Sequence, residues 1–398
     1  MSQQIDVLVA GGGIGGLAAG LACAQAGWRV RLFERAPVFS EVGAGIQISP
    51  NVVRVLQGWG LETALRRVAA YPDRLQVRSA LSGRTLGGLT LRGRAETLYG
   101  APYATIHRAD LHQVLLTSVQ GRAEVTLGLS NTVGGVQQSA DGVLLDLGQK
   151  NRIEGDVLVG ADGLWSAVRQ QVWGGEAPRV TGHLAYRAML PQSGLPAALR
   201  SQQVTAWLGP RLHVVVYPVR CGEWLNVVAI IHGRVDGDLS QWDHSANAQA
   251  LQAELAGTCS ALQDLIRAVP DWRLWALCDR PPVPSADAMA RGRVALLGDA
   301  AHPMRPYLAQ GAGMAIEDAQ ALVRALSLSE IDPATRLRRY ALNRWQRCAR
   351  VQARAERNGR IFHSTGPLQW ARDLGMRLLG ERLLDVPWLY RGDRYLQA

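Results

Sequence analysis

Val7-Leu8-Val9-Ala10 is an unbroken apolar run that gives way at once to glycines. A run this short, set against a glycine turn, reads as a buried parallel strand. Leu17 to Ala26 follows as an alanine-rich helix, and Trp28 to Phe33 as a second strand ending at Glu34. The three together make a βαβ unit. Arg74 to Leu91 alternates between turn signals at Ser82-Gly83 and Gly87-Gly88, which predicts hairpin strands. His107 to Val119 reads as a helix and Ala123 to Leu147 as strands. Asp156 to Gly160 and Arg293 to Leu297 are apolar runs that return to the first sheet. Between them lie further strands, notably Val214 to Tyr217 and Trp224 to Ile231, then a helix near 246–268. The remainder is mainly helical.

Within this pattern two motifs carry chemistry. Gly11-Gly12-Gly13-Ile14-Gly15-Gly16 sits between the first strand and its helix. Gly11 allows a tight turn, Gly13 lets the backbone approach a pyrophosphate, and Gly16 permits close helix–strand packing. The helix N-terminus there would meet phosphate with free N–H groups and a positive dipole. Glu34, at the next strand end, is placed to accept hydrogen bonds from ribose hydroxyls. The second motif, Gly298-Asp299-Ala300-Ala301-His302-Pro303, follows another strand and sets a carboxylate beside a glycine-rich turn. A nicotinamide dehydrogenase would need only the first motif. Two so far apart suggest one long ligand held at both ends, as flavin adenine dinucleotide would be.

The expected fold is therefore α/β, with a Rossmann-like FAD-binding domain, an inserted mixed β-sheet substrate domain and C-terminal helices. Residues 1–70, 100–180 and 280–325 are assigned to the cofactor domain. Residues 71–99 and 181–279 are assigned to the substrate sheet, and 326–398 to the helical segment.

Composition changes this picture little. A chain of 398 residues, 47% hydrophobic and 19% charged, has room for two or three cored domains. No apolar run approaches the roughly 20 residues of a membrane span. No charged leader precedes the first strand, so a cytoplasmic protein is expected. Five scattered cysteines without CxxC spacing argue against a disulfide framework or a zinc site, and no metal is expected. The net charge of +10 is almost all arginine, Lys150 being the one lysine. Its only dense cluster, near Arg336-Leu337-Arg338-Arg339, reads as the solvated face of a helix, so no nucleic-acid partner is expected. The positive field would still favour anionic ligands.

The GxGxxG turn, Gly160-Ala161-Asp162-Gly163 and Gly298-Asp299 occur together and in order. In that combination the chain resembles the single-component flavoprotein aromatic hydroxylases, from the first strand to about residue 320. Glu41 to Gln47, Thr105 to Leu111, and Leu208-Gly209-Pro210 through Tyr217-Pro218 narrow the resemblance. They look like the branch that contains 3-hydroxybenzoate 6-hydroxylase, salicylate hydroxylase and 6-hydroxynicotinate 3-monooxygenase. The resemblance implies FAD as cofactor and NADH or NADPH as electron donor. It also implies O2 and a small aromatic acid as partners, and a homodimer as the assembly. Its implied chemistry is hydroxylation by way of a flavin C4a-hydroperoxide. Gly11, Gly13, Ile14, Gly15, Gly16, Glu34, Arg35, Gln47, Arg108, Asp162, Asp299, Gly311 and Ala312 are the residues it implies for the cofactor. Gln310 to Gly313 precedes a helix over Met314 to Ala325, whose dipole would stabilise negative charge on the flavin.

Leu212 to Tyr217 supplies the substrate residues. Strand side chains alternate, so His213, Val215 and Tyr217 project from one face. Spacing alone favours a satisfied core pair over a pocket wall for His213 and Tyr217; the resemblance reverses this and favours the pocket. His213, with an ordinary imidazole value near ~6.5, would then take a phenolic proton. Tyr217 would bond the substrate, and Tyr103 and Pro306 are further substrate-binding candidates. Arg187 and Arg305 are potential carboxylate partners, because arginine suits bidentate recognition; the sequence favours an ordinary structural or surface arginine at each. His302 is expected to serve a structural or flavin-side role. Pro306 stands where the 3-hydroxybenzoate pattern has Gln, Gln47 stands where the hydroxynicotinate pattern has His, and Val204 stands near that pattern's Cys. These departures leave the substrate and ring position open. The alternatives are a flavin oxidoreductase of the same fold that does not hydroxylate, or a hydroxylase of another aromatic or N-heterocyclic substrate.

Overall fold

A computed structural model describes residues 4–39, 43–148, 151–234, 239, 244–245 and 248–393. Its first sheet has six strands. Asp6–Ala10 lies at the centre, parallel to Arg29–Phe33 on one side and Val157–Gly160 on the other. Val125–Gly128 extends one edge, and Val294–Leu296 with Ala290–Arg291 the other. The central strand is buried on both faces, which is why it reads as a continuous apolar run rather than an alternation. Helix Ile14–Gln25 covers one face, and its alanines and glycines permit close packing. Helix Gly311–Leu326 packs beside it.

The second sheet has eight strands drawn from two stretches of sequence. Arg74–Ser79 and Thr85–Thr90 form one edge, next to Val204–Gly209, Leu212–Val219, Trp224–His232, Arg179–Pro191 and Arg273–Asp279, with the short His244–Ser245 at the other edge. Here the sequence alternates because the two faces meet different surroundings. Val214, Val216, Val227, Ala229 and Ile231 point into an apolar layer under helices Ala248–Glu254 and Ser260–Arg267. The single helix expected near 246–268 is thus two, interrupted around Gly257-Thr258-Cys259, where glycine is a poor helix former. The opposite face looks toward the glycine turns of the first sheet. Cross-strand register places His213 opposite Ile230, Val215 opposite Val228, and His183 opposite His232 on that face.

The C-terminal region is anchored by the 30-residue helix Pro333–Phe362, capped by Asp332, whose side chain accepts from the Thr335 N–H. Beyond it, Tyr390 packs edge-on against Tyr99 and Tyr103, and Trp388 lies under Arg350. These aromatics cover the chain's own domain. Trp370 stays exposed, and Tyr395 falls outside the described residues. No described helix is long and apolar enough to cross a membrane.

Candidate active site

One continuous cavity of about 560 Å3 runs between the two sheets. At one end it is lined by Gly11, Gly12, Gly13, Ile14, Gly15, Glu34 and Arg35. The turn there is built as its glycines suggest. Gly11 has φ of +106°, and a Cβ on it would meet the Ala161 carbonyl at 2.5 Å. Gly16 does not line the cavity; a Cβ on it would stand 1.8 Å from the Gly11 carbonyl oxygen. Its role is to let the helix begin directly behind the turn. Glu34 accepts from the Gly12 N–H at 2.7 Å and from the Ala36 N–H at 2.8 Å. Buried His112, which sequence reasoning missed, donates to the Gly12 carbonyl at 2.8 Å and fixes the turn from behind. A lone histidine inside a helix gives no signal of such a contact.

The middle of the cavity is lined by Gln47, Arg108, Asp162, Asp299, Gly311 and Ala312. The Asp162 carboxylate is engaged structurally: it accepts from Ser166 Oγ at 2.5 Å and from the Val168 N–H at 3.0 Å. Asp299 exposes surface and lines the cavity. Burial raises its carboxyl above the ordinary value, while Arg108 and His302 pull it back down. Tyr103 lies behind this wall rather than on it, donating to Gln47 Oε1 at 2.6 Å. It therefore orients a lining residue.

The turn that carries Asp299 is held by a buried ionic cluster that composition could not reveal. Asp318 accepts from the Gly298 N–H at 3.1 Å, from His302 Nε2 at 2.5 Å and from Arg344 Nε at 2.8 Å. Arg344 also bonds Glu317 at 2.9 Å, and Arg347 closes on both oxygens of Glu317. Burial alone would lower the His302 imidazole, but Cys348 and Asp318 hold it well above its ordinary value. His302 stands outside the cavity lining and ties the turn to helix Gly311–Leu326.

At the far end the cavity meets the second sheet. His213, Val215 and Tyr217 all line it, with Val228, Ile230 and Trp275 beside them and Met304 and Pro306 opposite. Val214 and Val216 face the other way. Gly45 comes so close to Tyr217 that a Cβ there would meet its ring at 2.6 Å. His213 is buried, and its imidazole is pushed down to about 3 by burial and by His183. It is therefore neutral, and far less basic than an exposed histidine. Burial likewise raises the Tyr217 phenol, against a smaller opposing pull from Arg187.

Arg187 also lines this end. By surface it is half-buried. Its guanidinium stands 4.9 Å from the centre of the Trp275 ring. Burial lowers it to about 10, with Tyr217 raising and Arg108 lowering it further. Its Nε has no hydrogen-bond partner. Arg305 differs: it pairs with buried Asp279 at 2.7 Å.

A cradle open at a glycine turn, two carboxylates along its length and a long cavity suit an extended dinucleotide. Residues 4–355 match the family model described as FAD binding domain. The protein belongs to this FAD-dependent hydroxylase family. It is 38% identical to a 3-hydroxybenzoate 6-hydroxylase of Polaromonas naphthalenivorans over 97% of its own length and 96% of that enzyme. Two solved structures share the architecture. Klebsiella pneumoniae HpxO, complexed with FAD and uric acid, aligns with TM-score 0.84 at 25% identity, covering 96% of this chain and 95% of that one. A salicylate hydroxylase substrate complex aligns with TM-score 0.81 at 26% identity, covering 98% and 96%. The hydroxylase is thus an FAD enzyme of aromatic hydroxylation.

Proposed function

We propose that the enzyme hydroxylates a small aromatic acid carrying a ring hydroxyl, such as 3-hydroxybenzoate or salicylate, using O2 and NADH or NADPH. The carrying observation is Arg187, a cation on the cavity wall with no carboxylate partner among the described residues, next to Tyr217 and on the same sheet face as His213. A buried cation calls for an anion, and a guanidinium holds a carboxylate through two parallel hydrogen bonds. His213 and Tyr217 then bond the ring hydroxyl, while Val215, Val228, Ile230 and Trp275 exclude water and grip the ring. The glycine turn and the start of helix Ile14–Gln25 hold the pyrophosphate, Glu34 the ribose, and Asp299 and Arg108 the ribityl region. Gly311 and Ala312 offer the positive end of their helix to negative charge on the flavin. When bound, the flavin supplies oxygen activation. The polypeptide's part is to bind, orient and shield.

A cytoplasmic setting belongs to the same reading, supported by five cysteines that are all free.

The test follows NADH and NADPH oxidation across hydroxylated aromatic acids, with product mass measured. Faster oxidation with a product one oxygen heavier is expected; stimulation that yields only hydrogen peroxide would rule out that compound as substrate. Arg187→Met is expected to weaken binding of the acid about 10- to 100-fold, the size of a charged hydrogen-bonded contact. Binding of the corresponding methyl ester should change little. Equal losses for acid and ester would remove Arg187 from carboxylate recognition.

A further inference from the structure

His213 reaches beyond the cavity. Its Nδ1 lies 2.7 Å from His363 Nε2, and His363 Nδ1 lies 2.9 Å from His232 Nε2. The three rings come from distant parts of the chain: one sheet strand, the end of its neighbour, and the residue capping helix Pro333–Phe362. His213 and His363 are buried, whereas His232 is half-buried at the end of its strand. The row therefore leads from the cavity wall toward the surface, with His213 Nε2 left for the cavity and His232 Nδ1 left at the outer end. We propose that His213, His363 and His232 form a proton relay that carries the proton of a substrate hydroxyl from the cavity to the protein surface. This rests on the phenolic-acid reading above and extends it to His363 and His232.

The transfer balances in a single concerted shift. The substrate O–H bond breaks as its proton joins His213 Nε2. The proton on His213 Nδ1 passes to His363 Nε2, and that on His363 Nδ1 passes to His232 Nε2. The proton on His232 Nδ1 leaves to solvent. The substrate is left as its anion, each ring has exchanged one tautomer for the other, and no imidazolium remains. A buried acceptor that must stay neutral cannot keep a proton, but it can pass one on while receiving another. His363 needs this most. Its imidazole is pushed down to about 2 by burial and by His213, His183, His232 and Arg372.

The surroundings favour neutral rings throughout. His183 faces His232 with ring centres 4.5 Å apart and bonds the Tyr307 hydroxyl. It is pushed down to about 4 by burial, His232 and Arg305, against a small opposing pull from Asp279. Burial and Arg211 lower His232, opposed by Glu254. His183, His232 and His363 also lie close enough to hold a cation. Two nitrogens bound to one tetrahedral zinc, each at ~2.0–2.1 Å, stand about 3.3 Å apart. The His232–His363 contact of 2.9 Å is a hydrogen bond instead.

The relay makes a sharp statement about tautomers. A row of single-donor bonds requires all three rings to carry hydrogen on the same nitrogen, all Nδ1 or all Nε2. Ligation of a metal by His232 Nε2 and His363 Nδ1 would require mixed tautomers. Nitrogen-15 histidine spectra of the holoenzyme at pH 7, without substrate, are expected to show three neutral rings of one tautomer. Mixed tautomers, a cationic His363, or stoichiometric zinc by elemental analysis would overturn the relay whatever the substrate proves to be. The kinetic arm mixes oxidised holoenzyme with 3-hydroxybenzoate in weak buffer and follows phenolate absorbance and release of protons to an indicator dye. His363→Gln keeps a donor and an acceptor in place but cannot pass a proton. It should slow proton release at least tenfold with the dissociation constant within about twofold of wild type. Release at the wild-type rate would also overturn the proposal. Failure of every hydroxylated acid to bind would count against the substrate reading alone, because the tautomer result stands without a ligand.

Discussion

Gly16→Ala is expected to leave the purified protein colourless. The added methyl would stand 1.8 Å from the Gly11 carbonyl oxygen, and that neighbour is backbone, which cannot rotate aside. Either helix Ile14–Gln25 withdraws or the turn opens. In both cases the N–H groups of the turn lose their aim at the pyrophosphate. Strain of roughly 3 kcal/mol at this one position converts to about a hundredfold loss of FAD affinity. Gly20 provides the control on the same helix. A Cβ there would find Leu32 at 3.6 Å, an ordinary contact, and alanine is the better helix former. Gly20→Ala should therefore stay yellow. Flavin content per chain and FAD titration of the apoprotein measure both; a fully flavinated Gly16→Ala protein would show that the turn tolerates displacement.

Arg344→Met should have the largest effect on stability. The guanidinium is fully buried and bonds both Glu317 and Asp318. Removing one partner of a buried pair leaves uncompensated charge, at a cost of about 3–5 kcal/mol. Thermal unfolding should begin roughly 10 °C lower. The loss also has a pH signature. Burial would raise both carboxyls, but Arg347 and Arg344 hold Glu317 at about 2, below its ordinary 4.5, and His302 and Arg344 hold Asp318 below its ordinary 3.8. Groups depressed in the folded state add stability that is complete above about pH 4.5 and is lost as pH falls toward 2. Wild type should therefore lose more stability across that window than Arg344→Met does. Parallel acid-unfolding curves for the two would mean that the cluster contributes no linked stability.

Much of this architecture was legible in the residues. Val7 to Ala10 and Val157 to Gly160 read as central strands because burial on both faces leaves only apolar side chains. Leu212 to Tyr217 read as a strand with one chemical face because period two separates His213, Val215 and Tyr217 from Val214 and Val216. What stayed hidden depends on contacts across long stretches of chain. Arg187 and Arg305 look alike in sequence, and only the position of Asp279 makes one an ion pair and leaves the other to the cavity. His363 follows a helix far from any motif, so its bond to His213 had no local signature. The near-neutral basicity expected of His213 failed for the same reason: desolvation is a property of the packed interior, and burial lowers the imidazole far below its solution value.

The span from Gly11 to His363 also has a consequence for biosynthesis. The glycine turn leaves the ribosome first, yet Arg344 and the ring behind His213 come about 350 residues later. At 5–20 residues per second, roughly 20–70 s separate them. Through most of that interval the glycine turn stands without Asp299, Glu317, Asp318 or Arg344, so firm flavin capture should come late in translation rather than with the first βαβ unit.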